Sequence, residues 1–248
     1  MQKRLERVPS RELGRAVSLW SYGHWGQPLL AFPTAAGFAH EWEAQGMLDA
    51  LSPLIEGGRL KLYCPESNVA EAWTRRDHDA AWRIQRHVDY ERFVVDTLVP
   101  RIREDCRSSD LPIAVAGCSL GAFYAANFAL KRPETFRWAL CMSGRYAMTH
   151  FTDGFSNGDV YFNNPIAYVG NLDGEALEQI RRHTHVVLVC GQGMWEEGCI
   201  EETRTLGSLL AAKRIPHELD LWGQDVAHDW SWWRRQASHH LTRRFGGG

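Results

Sequence analysis

No apolar run in the 248 residues is long enough to span a membrane, and the opening Met1-Gln2-Lys3-Arg4-Leu5-Glu6 has no apolar signal-peptide core. Neither sign of charge is in excess. Lys and Arg total 28 against 30 Asp and Glu, a formal net charge of -2, which gives no reason to expect a nucleic-acid partner or a membrane partner. Basic pairs such as Arg75-Arg76 and Arg234-Arg235 read as solvated helix faces. The six cysteines include no Cys-x-x-Cys spacing. Cys118, Cys141 and Cys190 fall at or near expected strand ends, where small buried thiols are common. The expectation is a reduced, cytoplasmic protein. There is no internal repeat, low-complexity segment or linker, so residues 1–248 are read as one domain with room for a large core. Gly246-Gly247-Gly248 reads as a disordered tail. Eleven tryptophans are the one departure from ordinary composition.

Against that plain background one stretch stands out. Leu111-Pro112-Ile113-Ala114-Val115-Ala116 is a short apolar run of the kind a buried parallel strand shows. It runs into Gly117-Cys118-Ser119-Leu120-Gly121. Ala122, Ala125, Ala126, Ala129 and Leu130 then give a helix of small residues, and Pro133 follows its end. Strand, Gly-x-Ser-x-Gly turn and helix form the nucleophile-elbow pattern. Such a turn forces its serine into a strained conformation and projects the oxygen into a cleft. Gly117 and Gly121 flank it because strand and helix approach too closely for a Cβ. A phosphate-binding serine in an ordinary strand–helix turn would share the motif but not require a histidine and an acid downstream.

The rest of the chain reads as alternating strands and helices. Residues 3–10 and 13–20 suggest an antiparallel opening, with a turn at Tyr22-Gly23-His24-Trp25-Gly26. Residues 28–33 form a strand that ends in the small-residue loop Thr34-Ala35-Ala36-Gly37. A helix is expected over 41–54, a strand over 60–64, and a loop over 66–77 in which Trp73 either packs or rims a pocket. A second helix is expected from Tyr90 to Cys106, interrupted near Pro100. After the elbow come a strand over 136–142, a weakly periodic segment over 145–170 that could cover the site, and a short helix around Leu177 and Ile180. Phe151, Phe155, Tyr161 and Phe162 are acyl-pocket candidates within the covering segment, though a structural loop would read the same.

The strand 185–190 ends at Gly191-Gln192-Gly193-Met194-Trp195-Glu196-Glu197, at the sheet end where parallel α/β proteins place function. Its two adjacent glutamates cannot both face one histidine, and Asp153 is the alternative after the preceding strand. His183 and His185 would make a metal pair only with a carboxylate at matching spacing, so no metal and no cofactor is expected. A helix over 201–213 and a strand over 217–222 follow. In the order Ser, acid, His, only His217, His228, His239 and His240 come after the glutamates. His217 is at a strand start and His239 and His240 lie inside the last helix, which leaves His228.

These segments together resemble the putative-esterase family of α/β-hydrolases, which includes esterase-D-type enzymes, feruloyl esterases and mycolyl transferases. The carriers are Phe32-Pro33-Thr34-Ala35-Ala36-Gly37, the elbow, Cys190-Gly191-Gln192-Gly193 and His228-Asp229-Trp230-Ser231-Trp232-Trp233. The resemblance implies an α/β-hydrolase fold, a mostly parallel central sheet with helices on both faces. It also implies Ser119 as nucleophile, His228 as general base and acid, and a loop carboxylate orienting His228. Many members carry an aspartate there. Spacing after Gly193 favours Glu196, while mycolyl-transferase-like spacing favours Glu197. Glu196 is the choice made here, because it lies closer to the strand end. Position selects the backbone amides of Leu120 and Ala35 as the oxyanion hole, although Pro33-Thr34 replaces the commoner His-Gly start of that loop. The expected activity is a serine carboxylesterase acting on a small-molecule ester. An acyltransferase with the same triad and a non-catalytic binding protein are the alternatives. The oligomeric state is left open, a homo-oligomer included.

Overall fold

The structure, a computed structural model, describes residues 1–247. Gly248 of the expected tail therefore lies outside the described residues. The first half of the chain forms β1 (Lys3–Ser10), β2 (Arg15–Tyr22), β3 (Gln27–Phe32), α1 (Glu41–Ala44), α2 (Met47–Glu56), β4 (Leu60–Pro65), α3 (Val69–Ala72) and α4 (Ala80–Phe93). A π-helical turn, Val94–Leu98, leads from α4 into α5 (Val99–Asp105). Then come β5 (Ile113–Cys118), α6 (Leu120–Lys131), β6 (Phe136–Met142), α7 (Gly158–Phe162), α8 (Pro165–Tyr168) and α9 (Gly174–His183). The chain closes with β7 (His185–Cys190), α10 (Glu197–Ala212), β8 (His217–Leu221) and α11 (Trp230–Phe245).

Among the described residues eight strands join one sheet, in the order β1-β2-β4-β3-β5-β6-β7-β8. β1 and β2 pair antiparallel, as does β2 with β4, and every later pairing is parallel. β5, the strand that precedes Ser119, has three strands to one side beyond β3 and three to the other. Both faces of the sheet are covered, which is why the central strands are continuously apolar instead of alternating. Leu29, Ala31, Ala114, Ala116 and Cys118 pack with α2 and α11 on one face. Leu30, Phe32, Val115, Cys141 and Leu188 pack with α4, α6 and α10 on the other. Each fully buried Leu, Val or Phe contributes roughly 1.5–3 kcal/mol of transfer free energy. α6 lies deepest: every residue from Leu120 to Leu130 is buried, which accounts for its alanine-rich sequence. Among the described residues no helix is long and apolar enough to cross a membrane.

Three expectations need correction. The helix over 41–54 is two helices, broken where Gly46 takes φ 71°. The helix expected from Tyr90 starts at Ala80, with the Asp79 carboxylate accepting from Trp82 N at its cap. Its interruption near Pro100 is the π turn just before it, as expected where a proline cannot supply the next helical N–H. α10 begins at Glu197, four residues earlier than expected. Trp73 is fully buried against Phe123 and His87, so it packs and does not rim a pocket.

Candidate active site

Ser119 stands between β5 and α6 with φ 55° and ψ -122°. A non-glycine residue there carries on the order of 1–3 kcal/mol of strain, held in place by its surroundings. The surroundings are tight. A Cβ on Gly117 would lie 2.2 Å from the carbonyl of Gly121, and a Cβ on Gly121 would lie 2.6 Å from the carbonyl oxygens of Phe32 and Pro33. The turn is thus wedged between its own helix and the end of β3. Ser119 N donates to Met142 O at 2.9 Å, tying the elbow to β6 as well.

The structure brings Ser119, His228 and Glu196 together from positions far apart in the chain. Ser119 Oγ and His228 Nε2 are 3.1 Å apart, and His228 Nδ1 is 3.1 Å from Glu196 Oε2. Glu196 is fully buried, and it follows β7 on the loop that immediately precedes α10. Glu197 is exposed on the first turn of α10 and takes no part in this chain of contacts. Asp153 lies on the surface, paired with Arg76 and Arg83.

Two loops are laced to hold His228 against Glu196. Gly193 N donates to Val226 O at 2.9 Å, Gln192 N to Gly223 O at 3.2 Å, and His228 N to Met194 O at 3.0 Å. Any side chain at Gly191 would collide with Val226 O, 2.1 Å from the Cβ position, so Cys190-Gly191-Gln192-Gly193 is the stretch where the two loops touch. The next residue after His228, Asp229, caps α11 by accepting from Ser231 N at 2.7 Å and Trp232 N at 3.3 Å.

The buried carboxylate has partners that the sequence did not single out. Ser143, fully buried at the end of β6, donates its hydroxyl to Glu196 Oε1 at 2.5 Å and accepts from Trp233 Nε1 at 3.0 Å. Cys190 Sγ donates to Glu196 Oε2 at 3.4 Å. Trp233 also sets its ring edge-on to His228, with centroids 4.8 Å apart. Such contacts satisfy a charge that burial would otherwise penalise heavily. Ser143 sits in the turn directly after β6, a position too common in sequence to point here.

The loop after β3 is held by another missed residue. Glu41, buried on α1, accepts from Thr34 N and from Thr34 Oγ1, both at 2.7 Å. Ala36 N and Gly37 N find acceptors on Thr34 as well. Among the described residues, the amides of Ala35 and Leu120 have no protein acceptor. They are the two that sequence position selected.

Tyr161 and Phe162 do not join this site. They line a cavity of about 480 Å³ with Leu130, Pro133 and Ile180 at the far end of α6, roughly 16–18 Å of helix away from Ser119. Phe151 packs against Trp73. Apolar surface does stand on the loops beyond β3 and β7: Phe38, Met194 and Trp195 are 58, 62 and 69 % exposed. Two groups of described residues have metal-ligand spacing, Glu196 with Cys199 and His228, and Asp220 with His239 and His240. His183 and His185 belong to neither.

The family described as "Putative esterase" matches residues 63–243. No curated protein matches the sequence. Among solved structures, a ferulic acid esterase superposes with a TM-score of 0.78 at 16 % identity, covering 99 % of this chain and 98 % of its own. Mycobacterium tuberculosis MPT51 gives 0.75 at 14 % identity over 99 % and 98 % of the two chains. An S-formylglutathione hydrolase from Agrobacterium tumefaciens gives 0.74 at 15 % identity over 98 % and 94 %. What the chain shares with these structures is the fold, that of the α/β-hydrolases.

Proposed function

The chain belongs to the putative esterase family, and from that premise we propose that it hydrolyses carboxylic esters through an acyl-enzyme on Ser119. The observation that carries the reading is the pair of 3.1 Å contacts that run from Ser119 Oγ through His228 to a fully buried Glu196. His228, with its proton on Nδ1 facing Glu196, accepts the Ser119 proton at Nε2 as the oxygen attacks the ester carbonyl. The resulting imidazolium then gives that proton to the leaving alcohol. Water enters, loses a proton to the same Nε2, and releases the acid. Glu196 holds the ring in the tautomer that leaves Nε2 free and offsets the charge that forms on it.

The amides of Leu120 and Ala35 hold the developing oxyanion. Their lack of a protein acceptor supports that role, and loss of one such donor typically costs about 3 kcal/mol in the transition state. Glu41 positions the Ala35 amide by occupying its neighbour Thr34. The exposed Phe38, Met194 and Trp195 favour an apolar acyl or aryl group on the substrate. The names of two structural neighbours, an esterase and a hydrolase, support the same reaction class.

We read the whole chain as one domain built on the single sheet. Glu202 fixes Tyr146 and Ala147 by their amides, which supports reading the start of 145–170 as the part that walls the site. The six thiols, without a disulfide-framework spacing, favour the cytoplasm. The test is turnover of p-nitrophenyl acetate and butyrate by Ser119→Ala. The expected result is a loss on the order of a thousandfold or more, and full activity in that variant overturns the proposal.

A further inference from the structure

We propose that the inner edge of this site is also an inhibitory site for a zinc-class divalent cation, held by Cys199, His228 and Glu196. The inhibition rests on the serine-esterase reading; the ion site itself does not. Cys199 is a buried thiol that no step of ester hydrolysis uses, yet its Sγ lies 3.7 Å from His228 Nδ1. Glu196 Oε2 is 3.1 Å from the same nitrogen, and the three ligand atoms all lie within 4.8 Å of one another. A tetrahedral zinc with ordinary bond lengths to S, N and O sets its ligand atoms about 3.4–3.6 Å apart. The N-to-S and N-to-O separations here are within a few tenths of an ångström of that.

The donors come from three elements that are laced together: the loop after β7, the first turn of α10, and the loop after β8. Thiolate, imidazole and carboxylate are a zinc-type donor set, and three protein ligands leave a fourth position open. His228 keeps 20 % of its side chain exposed, so solvent reaches the set at that residue.

Occupancy would disable the catalytic base by a definite route. Free, the site holds a protonated Cys199 thiol, a neutral imidazole with its proton on Nδ1, and the Glu196 carboxylate. When the ion binds, the S–H bond breaks and one proton leaves to solvent. The Nδ1 lone pair turns to the metal, and the ring's proton moves to Nε2. An Nε2–H donates to Ser119 Oγ and cannot accept its proton, so attack on an ester stops.

The experiment uses chelator-stripped full-length protein with Cd²⁺ and Zn²⁺ as probes. Cd²⁺ should raise a thiolate-to-metal absorption band in the wild type that is absent from both Cys199→Ala and Cys199→Ser. Saturating Zn²⁺ should lower p-nitrophenyl ester hydrolysis on the order of a hundredfold, reversibly with chelator, and should leave the two Cys199 variants insensitive. Thermal melts establish that each variant is folded, and the serine variant keeps the test alive if alanine does not fold. No band in the wild type, a band that survives in a folded Cys199 variant, undiminished hydrolysis, or stimulation by Zn²⁺ each overturns the proposal. Fluorophosphonate labelling of the metal-free protein separates the two claims. If labelling fails, the serine-esterase reading fails, while the Cd²⁺ band still decides the ion site.

Discussion

Ser143 donates a hydrogen bond from its hydroxyl to Glu196 Oε1 across 2.5 Å, on the carboxylate oxygen that His228 does not use. Oε2 takes both His228 and the Cys190 thiol, so Ser143 is the partner that fixes the far oxygen and with it the plane of the carboxylate. Ser143→Ala removes a hydrogen bond to a buried charge, worth about 1.5–3 kcal/mol. The expected result is a fall of about ten- to a hundredfold in kcat with KM little changed. Steady-state kinetics on a p-nitrophenyl ester reads the split, and a proportional rise in KM would contradict the positioning role.

The adjacent glutamates differ sharply in environment, one fully buried and one exposed. Glu196→Gln should lower kcat by a factor on the order of 10³–10⁴, as loss of the acid does in other Ser-His-acid sites. Glu197→Gln should stay within about twofold of the parent, in keeping with surface substitutions. Side-by-side progress curves decide between them.

Gly121 separates the elbow from the end of β3. In Gly121→Ala the new methyl meets the carbonyl oxygens of Phe32 and Pro33 at 2.6 Å. Backbone must move, at a cost of about 1–3 kcal/mol or more, and the amides of Ala35 and Leu120 move apart with it. Denaturant midpoint and kcat should fall together. Gly158→Ala is the control, because a Cβ there meets nothing within 4 Å.

His87 makes stability depend on pH. Its ring is buried among Trp73, Phe123 and Tyr124, with Nε2 facing Asn163 Oδ1. Burial pushes its pKa down to about 3, and the charge of Lys131 adds to the shift. Below pH 6.5 the unfolded chain takes up a proton that the folded one refuses. This contribution to stability is therefore complete above pH 6.5 and is lost as the pH falls toward 3. Urea midpoints should decline across that window. A His87→Asn variant, less stable at neutral pH, should decline less over it.

The elbow, His228 and Glu196 were legible in the sequence because each is fixed by what lies beside it: a glycine pair, a strand end, a place in chain order. Ser143 and Trp233 were not, since they act across 53 and 90 positions, Ser143 on Glu196 and Trp233 on Ser143. Nothing near either residue announces a partner that far away. Glu41 was hidden for a different reason. A glutamate on the first turn of a helix is ordinary, and only the folded loop shows it gripping Thr34. The first ten residues of α4 escaped notice because its buried face includes Arg83 and His87, polar side chains that an apolar periodicity cannot count. Tyr161 and Phe162 misled in the opposite direction. Aromatic residues in an irregular segment look like a substrate wall whichever end of the sheet they cover.

His228 lies on the segment that leads into α11, and α11 docks on α2, a helix made near the start of the chain. Trp233, inside α11, touches both His228 and Ser143. A polypeptide leaving the ribosome can build most of its sheet and still be chemically silent. Ser119 and His228 come together when the last helix folds back over the first-made face. On the proposed reading, ester turnover is in that sense a count of finished molecules, to which stalled or clipped chains that lack α11 are expected not to contribute.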